Sequence, residues 1–220
     1  MELQHFSRRR SDKDPTTTPS VKWDTNLVSE NSLRPYTRWL GIYFDKTLSF
    51  KWHIKIRAGK ATKVINALRS LSNMTGGAPP RLLRQAICAC ILPSALSVSE
   101  TWWPGIKKST DQGHIISNRV NGHVEILKKV ILSSARVILP VYKTTPTPAL
   151  LRESGLLPPI LDLDKKSRQA ALRTHCLDRR HPLRRRAELI ERTRQIDSRF
   201  SRWILELPVV EYIDPIICAP

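Results

Sequence analysis

A nonpolar stripe at helical spacing, from about residue 53 to residue 71, is the clearest pattern in the chain. Nonpolar residues recur there every three or four positions, which is typical of one buried face of an amphipathic helix. The predicted inward residues are Ile54, Ala58, Ala61, Val64, Ile65, Leu68 and Leu71. Lys60 and Lys63 fall on the opposite side and, being three residues apart, are neighbours on the helix surface. The pattern predicts a helix with one nonpolar face and one basic face.

Two further helices are predicted downstream of Gly76-Gly77. Pro79-Pro80 opens the second helix, because proline is well tolerated in a first turn, and Pro93 ends or kinks it. Its inward residues are predicted to be Leu82, Leu83, Ala86, Ile87, Cys90 and Ile91, with Arg81 and Arg84 outward. The third helix is expected from about Ile116 to Leu139. Its predicted inward stripe is Ile116, Val120, Val124, Leu127, Ile131, Ala135 and Ile138.

The C-terminal half is also predicted to be helical. Thr147, followed by Pro148, is typical of a helix cap and first turn, and Gly155 is typical of a helix end. A short helix is predicted between them. Another helix follows Pro158-Pro159, with Leu161, Ala170, Ala171 and Leu172 as its predicted inner residues. The basic stretch from Arg179 to Arg199 is predicted to form one more helix, and the last residues an extended linker.

The N-terminal part has a different pattern. Residues 7–35 are polar and rich in Ser, Thr, Pro and Asp, which is typical of a flexible segment. Tyr36–Phe44 is rich in aromatic and β-branched residues and predicts one strand. We therefore expect a mainly α fold, in which one β-strand precedes a helical bundle and its strand partners lie outside this chain. The predicted domains are a flexible segment (1–36), a helical domain (37–178), and a basic helix with a linker (179–220).

Charge narrows the range of partners. The chain has 37 Lys and Arg against 19 Asp and Glu, a net charge of +18 and a pI near 10.4. Such an excess favours a polyanionic partner, nucleic acid more often than an anionic membrane surface. No nonpolar run is long enough to span a membrane, and the N-terminus lacks the pattern of a signal peptide. The four cysteines do not have the spacing of a secreted disulfide scaffold. We expect an intracellular protein, nuclear or cytoplasmic, that is not secreted.

No constellation in the sequence predicts catalysis or a metal site. Nucleotidyl transfer needs converging carboxylates that hold metal ions, and the nearest candidates are Asp12-x-Asp14 and Asp162-x-Asp164. The first pair lies in the polar segment, and the second lies near a helix start, where acidic residues complement the helix dipole. Cys88 and Cys90 point about 200° apart on a helix and have no partner pair. The expectation is no catalytic residue, no metal ligand and no cofactor.

The tryptophans allow two interpretations. An aromatic ring can stack on a nucleic-acid base, which contributes about 1–3 kcal/mol per base. Adjacent tryptophans are more often packed in the protein interior, so Trp102-Trp103 is predicted to anchor the core. Trp39 and Trp52 are also predicted to be core residues.

Several blocks of the chain resemble the LINE-type (non-LTR) retrotransposon reverse transcriptases, in particular fungal ones. The first comprises Arg38–Asp45 with Leu48–Ile54, which resembles the family's "yLGi-x-hD-x-x-LsF-x-x-Hi" segment. The other blocks follow in the family's order: Gly77–Leu83, Ile91–Pro93, Ser99–Gly105, and Val141–Pro146 with Ala149–Gly155 and Leu157–Pro159. Ser97-Val98 departs from the pattern, as do Asn121-Gly122 and Ile131-Leu132.

The resemblance implies the region between the palm and the RNase H domain of such an enzyme, namely the thumb and the connection. In the family, the thumb grips an RNA/DNA template–primer hybrid through backbone phosphates, while the palm carries out Mg²⁺-dependent chemistry. The palm's Tyr-x-Asp-Asp block is not in this sequence, so no polymerase activity is expected of this chain alone. The candidate nucleic-acid contacts are Lys60, Lys63, Arg81, Arg84, Lys143, Arg184 and Arg185.

Two alternatives remain open on sequence grounds. The chain could be a stand-alone, non-catalytic basic module that binds RNA or DNA. It could also be the translated remnant of a decayed element, with no function of its own.

Overall fold

The computed structural model describes residues 21–23, 26–28, 35–72, 77–105, 107–109, 113–115, 118–195 and 199–206, which form a mainly helical fold, as predicted. The α-helices are α1 (Lys51–Leu71), α2 (Pro80–Ala86), α3 (Leu92–Ala95), α4 (Ser99–Trp102), α5 (Asn118–Ile138), α6 (Thr147–Ser154), α7 (Pro159–His175), α8 (Pro182–Thr193) and α9 (Arg199–Glu206). A π-helical turn, Ile87–Ile91, joins α2 to α3. The strands form three antiparallel pairs: β1 (Val21–Trp23) with β2 (Asn26–Val28), β3 (Tyr36–Trp39) with β4 (Ile42–Asp45), and β5 (Lys107–Ser109) with β6 (Gly113–Ile115).

The segment predicted as one strand is a hairpin. Tyr36 pairs with Asp45 and Trp39 with Ile42, so β3 finds its partner in β4, within this chain. The turn between them has positive φ at Leu40 (47°) and Gly41 (80°). Two-residue hairpin turns with positive φ match the twist of the flanking strands. Glycine adopts that conformation without steric cost, whereas Leu40 does not.

The connection from β4 to α1 is organised by the buried carboxylate of Asp45. Its Oδ1 accepts the backbone N–H of Phe50 at 3.0 Å, and its Oδ2 accepts the hydroxyls of Thr47, at 3.0 Å, and Ser49. Burial raises the pKa of Asp45, but these three hydrogen bonds together outweigh it and leave the pKa below its usual value. Phe50 precedes α1 with φ 60° and has no capping side chain of its own. Asp45 therefore satisfies the start of α1 and holds it against the hairpin.

The main core lies between α1 and α5. The inward stripe predicted for α5 is confirmed from Val120 onward, and Ile116 lies outside the described residues. On α1, the prediction is confirmed for four fully buried residues, Ile54, Ala58, Ala61 and Ile65, with Leu68 packed beside them. It is wrong for Val64 and Leu71, which are exposed. Val64 is rotated about 100° from the buried Ile65, which takes it off the inward face.

The second predicted helix contains a π-helical turn that changes its buried face. The buried residues Leu83, Ile87, Ile91 and Ala95 are spaced by four, whereas an α-helix needs 3.6 residues per turn. A π turn adds residues to one turn and keeps such a stripe on one side. It also precedes Pro93, which in a regular helix would clash with the carbonyl four residues earlier. The helix therefore continues past Pro93, and Leu82 and Cys90, predicted inward, are exposed.

The C-terminal helices complete the fold. Thr147, predicted as a cap, is the first residue of α6, and Gly155 ends that helix with φ 64°, as expected. On α7, Ala171 is buried as predicted, but Leu161 is exposed, because it lies in the solvent-facing part of the first turn. The predicted basic helix corresponds to α8. A second, smaller core joins the last three helices through Ala171, Ala187, Ile190 and Ile204. Among the described helices, none combines the length and nonpolar character needed to cross a bilayer.

Candidate nucleic-acid interface

The exposed surface of α1 carries five cations, spread over about half of the helix circumference. They are Lys51, Lys55, Lys60, Lys63 and Arg69, and α1 contains no acidic residue. Lys60 and Lys63 are thus outward, as the sequence predicted. The opposite face of the same helix is buried in the core, so the cations cannot turn inward without unpacking α1. We call this set of five residues the α1 basic face.

Part of the α1 basic face could have been found from sequence. One row of α1 has a spacing of four residues and consists of Lys51, Lys55, Gly59 and Lys63. Residues four apart share one side of a helix. Gly59 is exposed, and a Cβ built at this position would meet no atom within 4 Å. The surface between these lysines is therefore open to a partner, including one that approaches the helix backbone closely.

Aromatic rings position two of these cations. Lys60 Nζ lies 5.9 Å from the centre of the Tyr43 ring and 3.5 Å from its hydroxyl oxygen. Lys55 Nζ lies 5.3 Å from the centre of the half-buried Trp52 ring. Such cation–π contacts at exposed sites contribute about 0.5–1 kcal/mol. Lys60 thus contacts the β3–β4 hairpin directly, whereas Lys55 lies over the ring of Trp52, which belongs to α1 itself.

The tip of the β3–β4 hairpin exposes two large nonpolar side chains. Trp39 is 64% exposed and Leu40 is 83% exposed, so the prediction that Trp39 is a core residue was wrong. Burial of a strand residue depends on where the chain turns, and the turn at Leu40 places Trp39 at the tip. The Arg57 guanidinium, which belongs to α1, donates a hydrogen bond to the Gly41 carbonyl at 2.9 Å. The tip is thus tied to α1.

His53 fixes the hairpin and α1 to the segment before α4. This buried histidine accepts the Tyr43 backbone N–H at Nδ1, at 3.3 Å, and its Nε2 lies 3.2 Å from the Ser97 carbonyl oxygen. The contacts require a neutral ring with the proton on Nε2. Burial lowers the pKa of His53, the bond to Ser97 opposes this, and the Arg57 charge adds to the lowering. Sequence reasoning singled out no histidine, because the partners of His53 are backbone groups.

The other predicted contacts lie on separate elements. Arg81 and Arg84 are exposed on α2, Lys143 is exposed in the connection before α6, and Arg185 is exposed on α8. Arg84 also donates to the Gly155 carbonyl at 3.1 Å. None of these four belongs to the α1 basic face.

Arg184, in contrast, is engaged within the protein. Its guanidinium donates to the His175 carbonyl at 2.6 Å and to Glu188 Oε1 at 3.0 Å, and lies 2.9 Å from His175 Nδ1. Burial lowers the pKa of His175, Glu191 opposes this, and Arg184 adds to the lowering. These contacts hold α8 against the end of α7. Arg184 is therefore a poorer candidate for phosphate contact than its exposed neighbour Arg185.

The tryptophan pair is structural. Trp102 and Trp103 are almost fully buried, as predicted, and the Trp103 indole N–H donates to Asp164 Oδ1 at 2.6 Å. Asp162 is buried as well, and burial raises its pKa, while the nearby Lys165 and Lys166 oppose the rise. Asp12 and Asp14 lie outside the described residues. In the described part of the chain, no three His, Cys, Asp or Glu side chains are grouped so that they could hold a metal ion.

Comparison with protein-family models, with curated proteins and with solved structures finds no match to this chain. Its function must therefore be inferred from its own residues and surfaces.

Proposed function

We propose that this chain is the thumb and connection region of a LINE-type reverse transcriptase, and that it binds an RNA/DNA template–primer hybrid without carrying out chemistry. The observation that carries the proposal is the α1 basic face, with five exposed cations on a helix that has no acidic residue. Lysine and arginine contact phosphates independently of sequence, which is what a polymerase requires of the part that holds its substrate.

The hairpin tip supports the same proposal. An exposed tryptophan on a hairpin that packs on a basic helix suits nucleic acid, because an aromatic ring stacks on any base while cations neutralise the phosphates. Arg57 holds the tip in place before any ligand binds, which reduces the ordering cost of association. Trp39 is then the residue that meets a base, and Lys60 and Lys63 meet phosphates.

The order of the sequence blocks supports the assignment to this class of enzyme. The blocks that resemble the family extend from the β3–β4 hairpin, through α1 and α2, to the start of α7. The chemistry belongs to palm carboxylates that the family places upstream of these blocks. We therefore expect no nucleotide incorporation by this chain, and incorporation by the purified chain would contradict the proposal.

The proposal is tested by hybrid binding to the double variant Lys60→Gln/Lys63→Gln. Fluorescence anisotropy of a labelled RNA–DNA hybrid, measured across a range of salt concentrations, yields both the affinity and its salt dependence. Each phosphate contact contributes about 0.9 to the salt slope on B-form DNA, which is about fivefold in affinity near 0.15 M salt. Loss of two contacts should lower the slope by nearly 2 and the affinity by roughly twentyfold or more.

The matched control is Lys165→Gln/Arg168→Gln, which removes two exposed charges from α7. This variant has the same net charge as the α1 variant and should keep near wild-type affinity. Equal losses in the two variants would show that net charge alone drives binding, which would contradict a specific role for the α1 basic face. Equal affinity for hybrid and for duplex DNA would favour a general basic module.

A further inference from the structure

A second basic surface lies in a groove between α2 and the end of α6. The groove has a volume of about 620 Å³, and three arginines, Arg81, Arg84 and Arg152, line it together with a single acidic residue, Glu153. Sequence reasoning selected Arg81 and Arg84 but not Arg152, which lies about 70 residues further along the chain. The three come together because α2 and α6 both pack against α5.

One of these arginines has a hydrogen-bond partner within the protein. The Arg84 guanidinium donates to the Gly155 carbonyl at 3.1 Å and packs directly on that residue. A Cβ at position 155 would lie 2.7 Å from Arg84 Cζ, so only glycine permits this contact. The Gly155 carbonyl accepts from one end of the Arg84 guanidinium, and the remaining N–H groups of Arg84 can donate to other acceptors. Arg84 thus places a cation at the edge of the groove.

The other two arginines are available to a ligand. Arg81 and Arg152 are exposed, and in the described part of the chain neither forms an ion pair. Ile138 and Leu139 contribute nonpolar surface to the same groove.

We propose that this groove is a phosphate-binding site, in which Arg81 and Arg152 bind the phosphate oxygens and Arg84 supplies a further positive charge. Guanidinium groups match the geometry of phosphate oxygens and are the preferred side chains for this purpose. The phosphate belongs either to a nucleic-acid strand or to a small phosphorylated molecule. Arg81 and Arg84 are also predicted nucleic-acid contacts, but no residue of α1 lines the groove, so this site is separate from the α1 basic face.

The adjoining π-helical turn supports a binding role. π turns carry a cost in stability and occur frequently at functional sites. Here the turn begins directly after α2 and contains Cys88, whose exposed thiol lines the groove. Cys90 is in the same turn and is also exposed, but it does not line the groove. The two thiols therefore provide a reporter inside the site and a reference outside it.

Thiol protection tests the proposal. The rates at which iodoacetamide alkylates Cys88 and Cys90 are measured by peptide mass spectrometry on the full chain at constant ionic strength. The probes are a 12-nucleotide single-stranded DNA, adenosine monophosphate and inorganic phosphate, with sodium chloride as the reference. A probe that fills the groove should slow the alkylation of Cys88 at least threefold and leave the alkylation rate of Cys90 unchanged. The double variant Arg81→Gln/Arg152→Gln should lose this protection, and the matched variant Lys165→Gln/Arg168→Gln should keep it.

The outcomes separate the possible sources of the phosphate. Protection by the oligonucleotide alone supports a nucleic-acid strand as the ligand, and protection by adenosine monophosphate or phosphate supports a small phosphorylated molecule. The proposal is overturned if no probe protects Cys88, or if protection survives in Arg81→Gln/Arg152→Gln. Persistence of Cys88 protection in Lys60→Gln/Lys63→Gln would show that this site is independent of the α1 basic face, so either proposal can fail without the other.

Discussion

Removal of the Asp45 carboxylate should destabilise the protein strongly, because three donors depend on it. A hydrogen bond to a charged acceptor contributes about 1.5–3 kcal/mol. The Thr47 and Ser49 hydroxyls are half-buried and can rebind water, whereas the Phe50 N–H at the start of α1 has no other partner among the contacts of that turn. We therefore expect Asp45→Ala to lower the free energy of unfolding by about 2–4 kcal/mol. That is a large fraction of the roughly 5–15 kcal/mol typical of folded proteins.

Urea denaturation followed by helical circular dichroism measures this change, with Thr47→Ala as the control. Thr47→Ala removes one of the three donors and should cost only about 0.5–1.5 kcal/mol. Because the folded-state pKa of Asp45 lies below the ordinary 3.8, the carboxylate contributes its full stabilisation above that pH. The difference between wild type and Asp45→Ala should persist from pH 7 to about pH 4 and decline only at lower pH. A loss below about 0.5 kcal/mol, less than one hydrogen bond, or a difference that shrinks already between pH 7 and pH 5, would refute this role for Asp45.

Three substitutions and one titration test the arrangement around the two basic surfaces. Gly155→Ala should lower the free energy of unfolding by about 1–3 kcal/mol because of the positive φ, and the Arg84 guanidinium should move away from the new Cβ at little further cost. Gly59→Ala, at an exposed helical glycine, should stabilise by up to about 1 kcal/mol in the same denaturation assay. Trp39→Ala should weaken hybrid binding severalfold in anisotropy measurements while leaving the melting temperature within a few degrees of wild type, and an unchanged affinity would contradict a stacking role. His53 should titrate below 6.5 in an NMR pH series, because burial opposes its charged form; its contribution to stability is complete above that pH and is lost as the pH falls, and a pKa at or above 6.5 would contradict the contacts of the buried ring.

Long, regular stretches were predictable from local pattern. The stripe of α5 repeats at helical spacing for most of its 21 residues, and each repeat adds to the same inward face. Gly155 was predictable because a left-handed residue ends many helices and glycine adopts that conformation freely. The second helix was less predictable, because its inward face depends on a π turn that no residue type specifies. A prediction with a 3.6-residue period therefore assigned Leu82 and Cys90 to the wrong side.

The wrong prediction that Trp39 is a core residue has a different cause. Its residue type favours burial, and nothing nearby in the chain forbids it. The turn at Leu40-Gly41 places it at a hairpin tip, and whether another element covers that tip depends on packing between distant segments.

The amphipathic character of α1 was determined by the sequence alone, since spacing and charge in a 21-residue helix decide which side is nonpolar and which is basic. Which cations bond to groups within the protein, and which stay open to a ligand, was decided by the tertiary structure. Arg84 meets a carbonyl 71 residues away, and Arg184 is held by the end of the preceding helix, whereas Lys63, Arg81 and Arg152 remain open to a ligand. Periodicity is a local property of the backbone, but the pairing of a charge depends on which distant groups the packing of helices brings within hydrogen-bond distance.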